Sequence, residues 1–180
     1  VLLESEDVTR MFFNLEKIMQ LTMRFFAAAK TRIMNWEDGE TLLGDLFAGF
    51  LAEQAVQQEY FHYVNNMPNA FETYNRLYAE SAAFREARLL SAYSRGTSLT
   101  FLSQLMEELS TEETRWQQLP AYLQFPAQRL HEYIRWIKKL LKKTVEDHPD
   151  FDNLFEALDM ATELVDIVFD LPPMEEPAEA

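Results

Sequence analysis

The sequence contains no cysteine, and this absence excludes several kinds of site at once. Without thiols there are no disulfides, no thiolate nucleophiles and no zinc sites built from cysteine. Glycine is also rare, with 4 residues in 180, which is few for an all-β protein whose turns depend on glycine. No apolar run approaches the roughly 18 residues of a membrane-spanning helix, and no secretory signal peptide is evident. We therefore expect a soluble, cytoplasmic protein without direct membrane insertion.

Motifs that bind phosphate or support hydrolysis are missing as well. The sequence has no Gly-x-x-x-x-Gly-Lys, Gly-x-Gly-x-x-Gly or Gly-x-Ser-x-Gly. Glu59 and His62 have the Glu-x-x-His spacing of a metal-binding helix, but a di-iron bundle needs this motif on two helices and it occurs once. The sequence therefore predicts no cofactor, no metal site and no enzyme that makes or breaks covalent bonds.

Acidic residues outnumber basic ones by 30 to 16, which gives a net charge of -14. This charge repels nucleic acid and anionic membranes and favours basic or neutral partners. The one basic cluster comprises Arg135, Lys138, Lys139, Lys142 and Lys143. We favour a solvated helix face for this cluster, with a contact for an acidic partner as the alternative. Trp136, inside the cluster, is either a second packing surface or an exposed anchor for a partner.

The spacing of apolar residues predicts an all-α domain. From the N-cap Ser5, apolar residues recur at helical steps to about Lys30, which predicts one helix. A second helix is predicted from Leu42 to about Asn65. "NNMPNA" at 65–70 then breaks the pattern, with Pro68 in the first turn of the next helix. A further short helix is expected near 99–113.

The most regular apolar pattern lies in the second half of the chain. Its members are Leu123, Ala127, Leu130, Ile134, Ile137, Leu141 and Thr144. The helix that they define is predicted to begin near Pro126, where proline is best tolerated. A turn follows at 145–153, with Asp150 or Asp152 placed to cap a last helix that extends to about Leu171.

Specific motifs are superimposed on this pattern. A Pro-x-Gln-Arg sequence is followed by an apolar residue and a tyrosine, then by Leu-Leu-Lys-x-Thr, His-Pro-Asp and Ala-Leu. The residues are Pro126, Gln128, Arg129, Leu130, Tyr133, Leu140 to Thr144, His148 to Asp150, and Ala157 with Leu158. This set resembles the C-terminal half of a Dbl homology domain, the exchange-factor domain that acts on Rho-family small GTPases. The runs around Asn14 and Asn66 are similar to the same family.

The resemblance implies an elongated multi-helix bundle over residues 1–171, followed by an acidic tail or linker at 172–180. The family's first conserved helix is expected just before residue 1, and an adjacent pleckstrin homology domain is expected in the parent protein. The implied function is that of a guanine nucleotide exchange factor. Such a domain binds the switch regions of a Rho- or Rac-class GTPase, favours the nucleotide-free state and so promotes GDP release without covalent chemistry.

The resemblance also implies a binding site, at Gln124, Gln128, His131, Glu132 and Phe169. Gln128 matches the family's switch-facing glutamine, and its alternative role is a buried hydrogen bond within the bundle. Glu132 stands where the family usually has lysine or arginine, and Phe169 stands where asparagine is often found. Arg129 and Tyr133 are assigned mainly to internal packing and hydrogen bonding. Because Glu132 reverses the sign of a contact, an exchange-deficient scaffold that kept the fold is the second interpretation.

Overall fold

The computed structural model of the chain describes residues 5–37, 39–80 and 119–169. Over these ranges it contains six α-helices and no β-strand, so the predicted all-α fold class is confirmed. The helices are α1 (Ser5–Phe12), α2 (Leu15–Met34), α3 (Gly44–Ala52), α4 (Gln54–Glu80), α5 (Leu119–Leu141) and α6 (Phe151–Phe169). The helix predicted near 99–113 and the tail at 172–180 lie outside the described residues.

The helices contribute to two compact units. The first comprises Val1–Glu16 and Asn66–Phe125, and the second comprises Lys17–Asn65 and Pro126–Ala180. The core of the first unit is formed by Met11, Phe12, Ala70, Tyr74, Leu77, Leu119 and Leu123. Beside this core Asp7 and Arg76 form an ion pair that links α1 to α4.

A two-residue turn separates α1 from α2. Phe13 has a φ of 39°, in the left-handed region, and its N–H donates to the Thr9 carbonyl at 2.8 Å. Helices commonly end in this way, although glycine usually takes the left-handed position. The single helix predicted from Ser5 to Lys30 is therefore wrong. The apolar spacing continues through the turn because α1 buries its stripe in the first unit, whereas α2 buries its stripe in the second unit from Lys17 onward.

Two prolines lie inside helices rather than at their starts. Pro68 lies within α4 and Pro126 lies within α5. The predicted break at 65–70 is therefore wrong, and α5 begins earlier than the predicted start near Pro126. An internal proline removes one backbone hydrogen bond, at a cost of about 3 kcal/mol. Burial of nearby apolar side chains, Ala70 on α4 and Leu123 on α5, helps to offset this cost.

An aromatic core holds the second unit together. The ring centroid of Phe25 on α2 lies 4.7 Å from that of Phe50 on α3 and 5.7 Å from that of Tyr133 on α5. The helix predicted from Leu42 to Asn65 is divided at Glu53, whose backbone is extended with a ψ of 119°. The division produces α3 as a separate short helix, and α3 packs against α6.

The turn before α6 is tied to the start of α3. The buried Asp150 carboxylate accepts hydrogen bonds from the N–H of Leu43 at 2.8 Å and of Gly44 at 2.9 Å. These belong to the backbone donors that a helix N-terminus leaves without intrahelical partners. The Asp150 side chain therefore caps α3 and not α6, contrary to the sequence prediction. Gly44 is required at this contact, because a Cβ would lie 2.7 Å from the carbonyl carbon of Asn153.

Candidate functional site

Helix α5 exposes a polar ridge on the side opposite its buried face. The buried residues after Pro126 are Ala127, Leu130, Tyr133 and Ile137. Because the α-helix repeats every 3.6 residues, Gln128, Glu132, Arg135 and Lys139 fall on the opposite side. These four residues are named the α5 ridge; three of them are exposed and Glu132 is half-buried. Two predicted binding residues, Gln128 and Glu132, thus share one surface.

An ion pair within the α5 ridge joins Glu132 to Arg135, one helical turn away. The hydrogen bond from Arg135 holds the pKa of Glu132 below its ordinary value, against the opposing effect of desolvation. Glu132 is therefore ionised at neutral pH. Solvent screens an exposed ion pair of this kind, so a partner could separate the two side chains at little cost.

A ring contact connects the edge of α5 to the end of α6. The ring centroids of His131 and Phe169 lie 5.1 Å apart, and both side chains are exposed. Phe169 retains 43% of its accessible surface although it is a large apolar residue. The contact therefore brings two further predicted binding residues together beside the α5 ridge.

On the opposite flank of α5, Arg129 packs against α2. Its guanidinium carbon lies 5.4 Å from the ring centroid of Phe26, within the range of a cation–π contact. Trp136 contacts the same ring with a centroid distance of 6.1 Å, and it contacts Tyr133 at 5.6 Å. The packing role predicted for Arg129 is confirmed, and Trp136 serves as a second packing surface while remaining half-exposed. Phe26 itself is 37% exposed although it is a large apolar residue.

Tyr133 is buried at the centre of the second unit, which confirms its predicted packing role. Burial raises the pKa of its hydroxyl, and the neighbouring Tyr60 acts in the same direction. The hydroxyl groups of Tyr60 and Tyr133 are buried beside one another and beside that of Thr22, and hydrogen bonding among them affects the pKa of both tyrosines. The hydrogen bonding predicted for Tyr133 stays a prediction, because among the described residues neither tyrosine oxygen has a partner at full hydrogen-bond geometry.

The remaining predicted binding residue stands apart from these groups. Gln124 is half-buried on the portion of α5 that belongs to the first unit. The structure therefore groups Gln128, His131, Glu132 and Phe169 in the second unit without Gln124. Sequence reasoning did not assign Phe26 or Arg135 to this site. Phe26 packs against Arg129, and Arg135 forms the ion pair with Glu132.

The basic cluster and the Glu-x-x-His motif also lie in the second unit. All five members of the basic cluster at 135–143 are exposed, as the solvated-face interpretation requires. Glu59, the carboxylate of the Glu-x-x-His motif, forms an ion pair with Lys17 at 3.0 Å, while His62 is exposed. Across the described ranges no cluster of three or more His, Cys, Asp or Glu side chains is arranged to hold a metal ion. None of the helices described combines the length and apolar character needed to cross a bilayer.

Comparison with known families identifies the fold. A sequence model of the RhoGEF domain matches residues 1–168 of the chain. The chain belongs to the RhoGEF domain family. RhoGEF domains are Dbl homology domains, so the resemblance drawn from the motifs around Gln128 and His148 is confirmed, and the helices described agree with the helical fold of that family.

Relatives of this RhoGEF domain are named as Rho or Rac guanine nucleotide exchange factors. The chain is 28% identical over 149 residues to Rho guanine nucleotide exchange factor 10 of Mus musculus, a match that covers 83% of the chain and 10% of that protein. It is 31% identical over 153 residues to Rho guanine nucleotide exchange factor 4 of Homo sapiens, covering 85% and 19%. Rac guanine nucleotide exchange factor B of Dictyostelium discoideum is 25% identical over 131 residues, covering 73% and 9%. The chain thus spans only a small part, 9% to 19%, of the length of these relatives.

Proposed function

We propose that this RhoGEF domain binds the switch regions of a Rho-family small GTPase and promotes release of the bound GDP. Family membership supports an exchange role, and relatives named as Rho and Rac exchange factors support a partner of the Rho or Rac class. The observation on this chain that carries the proposal is the exposure of Gln128, which matches the family's switch-facing glutamine. A buried hydrogen bond inside the bundle, the alternative role of Gln128, does not fit that exposure.

In this proposal the contact surface of the second unit is formed by Gln128, His131, Glu132 and Phe169. A binding role for Gln124, on the part of α5 that belongs to the first unit, is a separate part of the proposal. His131 and Phe169 supply apolar area, and Gln128 supplies one amide donor group and one acceptor. Glu132 supplies a negative charge that its partner must complement.

Exchange requires no covalent chemistry and no cofactor from these side chains. A protein that binds the nucleotide-free GTPase more tightly than the GDP-bound form must weaken GDP binding by the same factor. GDP then dissociates, and the more abundant GTP takes its place. The residues of the contact surface need only bind the partner and hold it in the nucleotide-free conformation.

The charges of the α5 ridge select the partner. Where the family usually presents a cation, this domain presents Glu132, with the guanidinium of Arg135 one turn further along. A partner with an acidic residue opposite Glu132 would lose several kcal/mol, on the order of a thousandfold in affinity. We therefore propose a GTPase that places a basic or neutral side chain opposite Glu132 and an acidic one opposite Arg135.

The test is release of fluorescent GDP from a panel of Rho-family GTPases in the presence of the full-length protein. We expect acceleration for at least one GTPase, and a loss of about tenfold or more in exchange rate for Gln128→Ala. Gln58→Ala is the matched control, since Gln58 is an exposed glutamine on α4. Acceleration of none of the GTPases, together with no capture of their nucleotide-free forms, would rule out this function.

The second candidate is an exchange-deficient scaffold that kept the RhoGEF fold. Glu132 and Phe169 favour it, because both depart from the residue types that the family usually places at the contact. The same assay separates the two functions. The absence of both faster GDP release and capture of a nucleotide-free GTPase would support the scaffold, whereas faster release would support exchange.

We also propose that residues 1–171 form the domain and that 172–180 link it to an adjacent pleckstrin homology domain in the parent protein, which would act in the cytoplasm. Limited proteolysis of the full-length protein tests the boundary, since cleavage should fall after residue 171. Imaging of the tagged full-length protein tests the location.

A further inference from the structure

Four lysines at the carboxyl end of α5 lack the ion pairs that most other described bases form. They are named the lysine cluster, they are all exposed, and they comprise Lys138, Lys139, Lys142 and Lys143. Over the described ranges none of them forms a salt bridge with a carboxylate. The bases elsewhere that do form one are Arg10, Lys17, Arg24, Arg32 and Arg76. Unpaired positive charge is therefore concentrated at this end of α5, in a chain whose net charge is -14.

The helix terminus accounts for only part of this positive charge. The carboxyl end of a helix carries about half a negative charge, which stabilises cations in the last turn. Lys138 and Lys139 occupy the last turn of α5, and Lys142 and Lys143 follow directly after its end. Four positive charges exceed what half a negative charge balances, and like charges one turn apart repel one another. The excess is available to a partner that carries negative charge.

The lysine cluster continues the contact surface proposed above. Lys139 belongs both to the cluster and to the α5 ridge. Measured along the helix axis, Lys142 lies roughly 21 Å beyond Gln128, because an α-helix rises by about 1.5 Å per residue. A folded domain of about 150 residues has a radius of gyration of roughly 15 Å. A GTPase seated at Gln128 is therefore large enough to extend over the cluster.

The surroundings of the lysine cluster favour a compact acidic patch over a broad anionic surface. Glu146 and Asp147 follow the cluster and are exposed, and Glu132 lies two turns before Lys139. These carboxylates would repel a flat anionic membrane or a nucleic acid that covered the whole end of α5. At physiological ionic strength, exposed charges more than about 8 Å apart are largely screened from one another. A small acidic patch on a protein therefore responds mainly to the lysines.

We propose that the lysine cluster steers the GTPase onto the α5 ridge by attracting an acidic patch on the GTPase surface. This inference rests on the function proposed above, and it adds a kinetic role for residues outside the contact surface. Charges at the rim of an interface change the association rate and its salt dependence, whereas truncation of a buried contact changes the dissociation rate. The lysine cluster therefore raises the association rate constant, while the contact surface holds the complex together.

Stopped-flow mixing of the full-length protein with nucleotide-free Rho-family GTPases tests this role. In the variant that combines Lys142→Glu with Lys143→Glu, we expect the association rate constant to fall about tenfold at about 50 mM salt. At about 1 M salt, where screening removes the steering, it should fall by less than about twofold. The dissociation rate constant should stay within about twofold at both salt concentrations. Lys142→Gln with Lys143→Gln removes the charges without reversing them, and should lower the association rate constant about threefold. This glutamine variant replaces the glutamate variant as the test should the latter not fold.

Lys30→Glu is the control, since Lys30 is an exposed lysine of α2 outside the cluster. It should change the association rate constant by less than about 1.5-fold. Failure of every GTPase to bind would remove the proposed function and the steering together, whereas binding with an unchanged association rate would contradict the steering alone. An equal effect per unit charge at Lys30, or a loss that persists at high salt, would also contradict it. Loss of binding to phosphatidylserine vesicles with unchanged GTPase association would assign the cluster to a membrane instead.

Discussion

The backbone N–H of Gly44 donates to both carboxylate oxygens of Asp150, at 2.9 and 3.0 Å. Leu43, the N-cap residue of α3, has no side chain that could cap the helix, and its own N–H donates to the same carboxylate at 2.8 Å. Asp150 is only 4% exposed. One buried side chain from the turn before α6 therefore performs the capping function that the local sequence of α3 lacks.

Removal of the Asp150 carboxylate should destabilise the protein. Asp150→Ala leaves the N–H groups of Leu43 and Gly44 buried without an acceptor, and we expect the free energy of unfolding to fall by about 2–4 kcal/mol. Urea unfolding measures this change. Asp159→Ala, at an exposed position of α6, is the control and should alter stability by less than about 0.5 kcal/mol. Equal losses in the two variants would show that the cap contributes nothing.

The two glycines of α3 should respond to alanine in opposite directions. Gly44→Ala forces a Cβ against the backbone at Asn153, and we expect a loss of about 2 kcal/mol or more. Gly49→Ala adds a Cβ in open space and should raise the free energy of unfolding by about 0.5–1 kcal/mol. Thermal and urea unfolding of the pair provide the measurement. A loss of stability in both variants would argue against the open space beside Gly49.

Relief of the left-handed conformation at Phe13 should stabilise the protein. Its φ of 39° is unfavourable for a residue with a side chain but not for glycine. The Phe13 side chain is 50% exposed, so its removal gives up little buried apolar surface. We expect Phe13→Gly to raise the free energy of unfolding by about 1 kcal/mol. Phe13→Ala retains the unfavourable φ and serves as the control, with no gain expected. A gain in the alanine variant equal to that in the glycine variant would place the effect in the side chain instead.

The charge at Glu132 should alter GTPase preference without altering the fold. If the proposed contact is correct, Glu132→Lys should speed GDP release from a conventional Rho-family GTPase by about tenfold or more. The midpoint of urea unfolding should stay close to that of the unsubstituted protein, because the ion pair with Arg135 is exposed and screened by solvent. Glu156→Lys makes the same charge change at an exposed position near the start of α6 and controls for net charge. An exchange rate that does not respond to Glu132→Lys, or responds equally to Glu156→Lys, would remove Glu132 from the contact.

Helical class and most of the buried faces could be predicted from local spacing. Ala127, Leu130 and Ile137 on α5 are buried as the pattern predicts, because the helical repeat acts between residues that are close in sequence. The same spacing selected Ile134, which is half-buried, in preference to Tyr133, which is fully buried. The error arises because Tyr133 and Ile134 are adjacent at the edge of the buried stripe of α5. Either residue fits a step of three or four from Leu130 and Ile137, so the spacing cannot choose between them.

Features that depend on distant parts of the chain could not be predicted. The carboxylate of Asp150 and the N–H of Gly44 are 106 positions apart, so no local rule assigns one to the other. The sequence predicts a break at Pro68 because the energetic cost of proline inside a helix is known from the residue type alone. The burial of nearby apolar side chains that offsets this cost depends on the fold and cannot be predicted from the local sequence. At the candidate site, the motifs placed Gln128 and Glu132 on one surface, but the contact between Arg129 and Phe26 depends on the packing of α2 against α5.

The open space beside Gly49 has a practical consequence for chemical biology. The chain contains no cysteine, so Gly49→Cys would introduce its one thiol, at an exposed position of α3. Disulfide exchange at that thiol would tether small disulfide compounds to the surface of α3 and raise their local concentration to the millimolar range or above. Mass spectrometry of the adducts would then rank the tethered compounds by how well they pack beside α3.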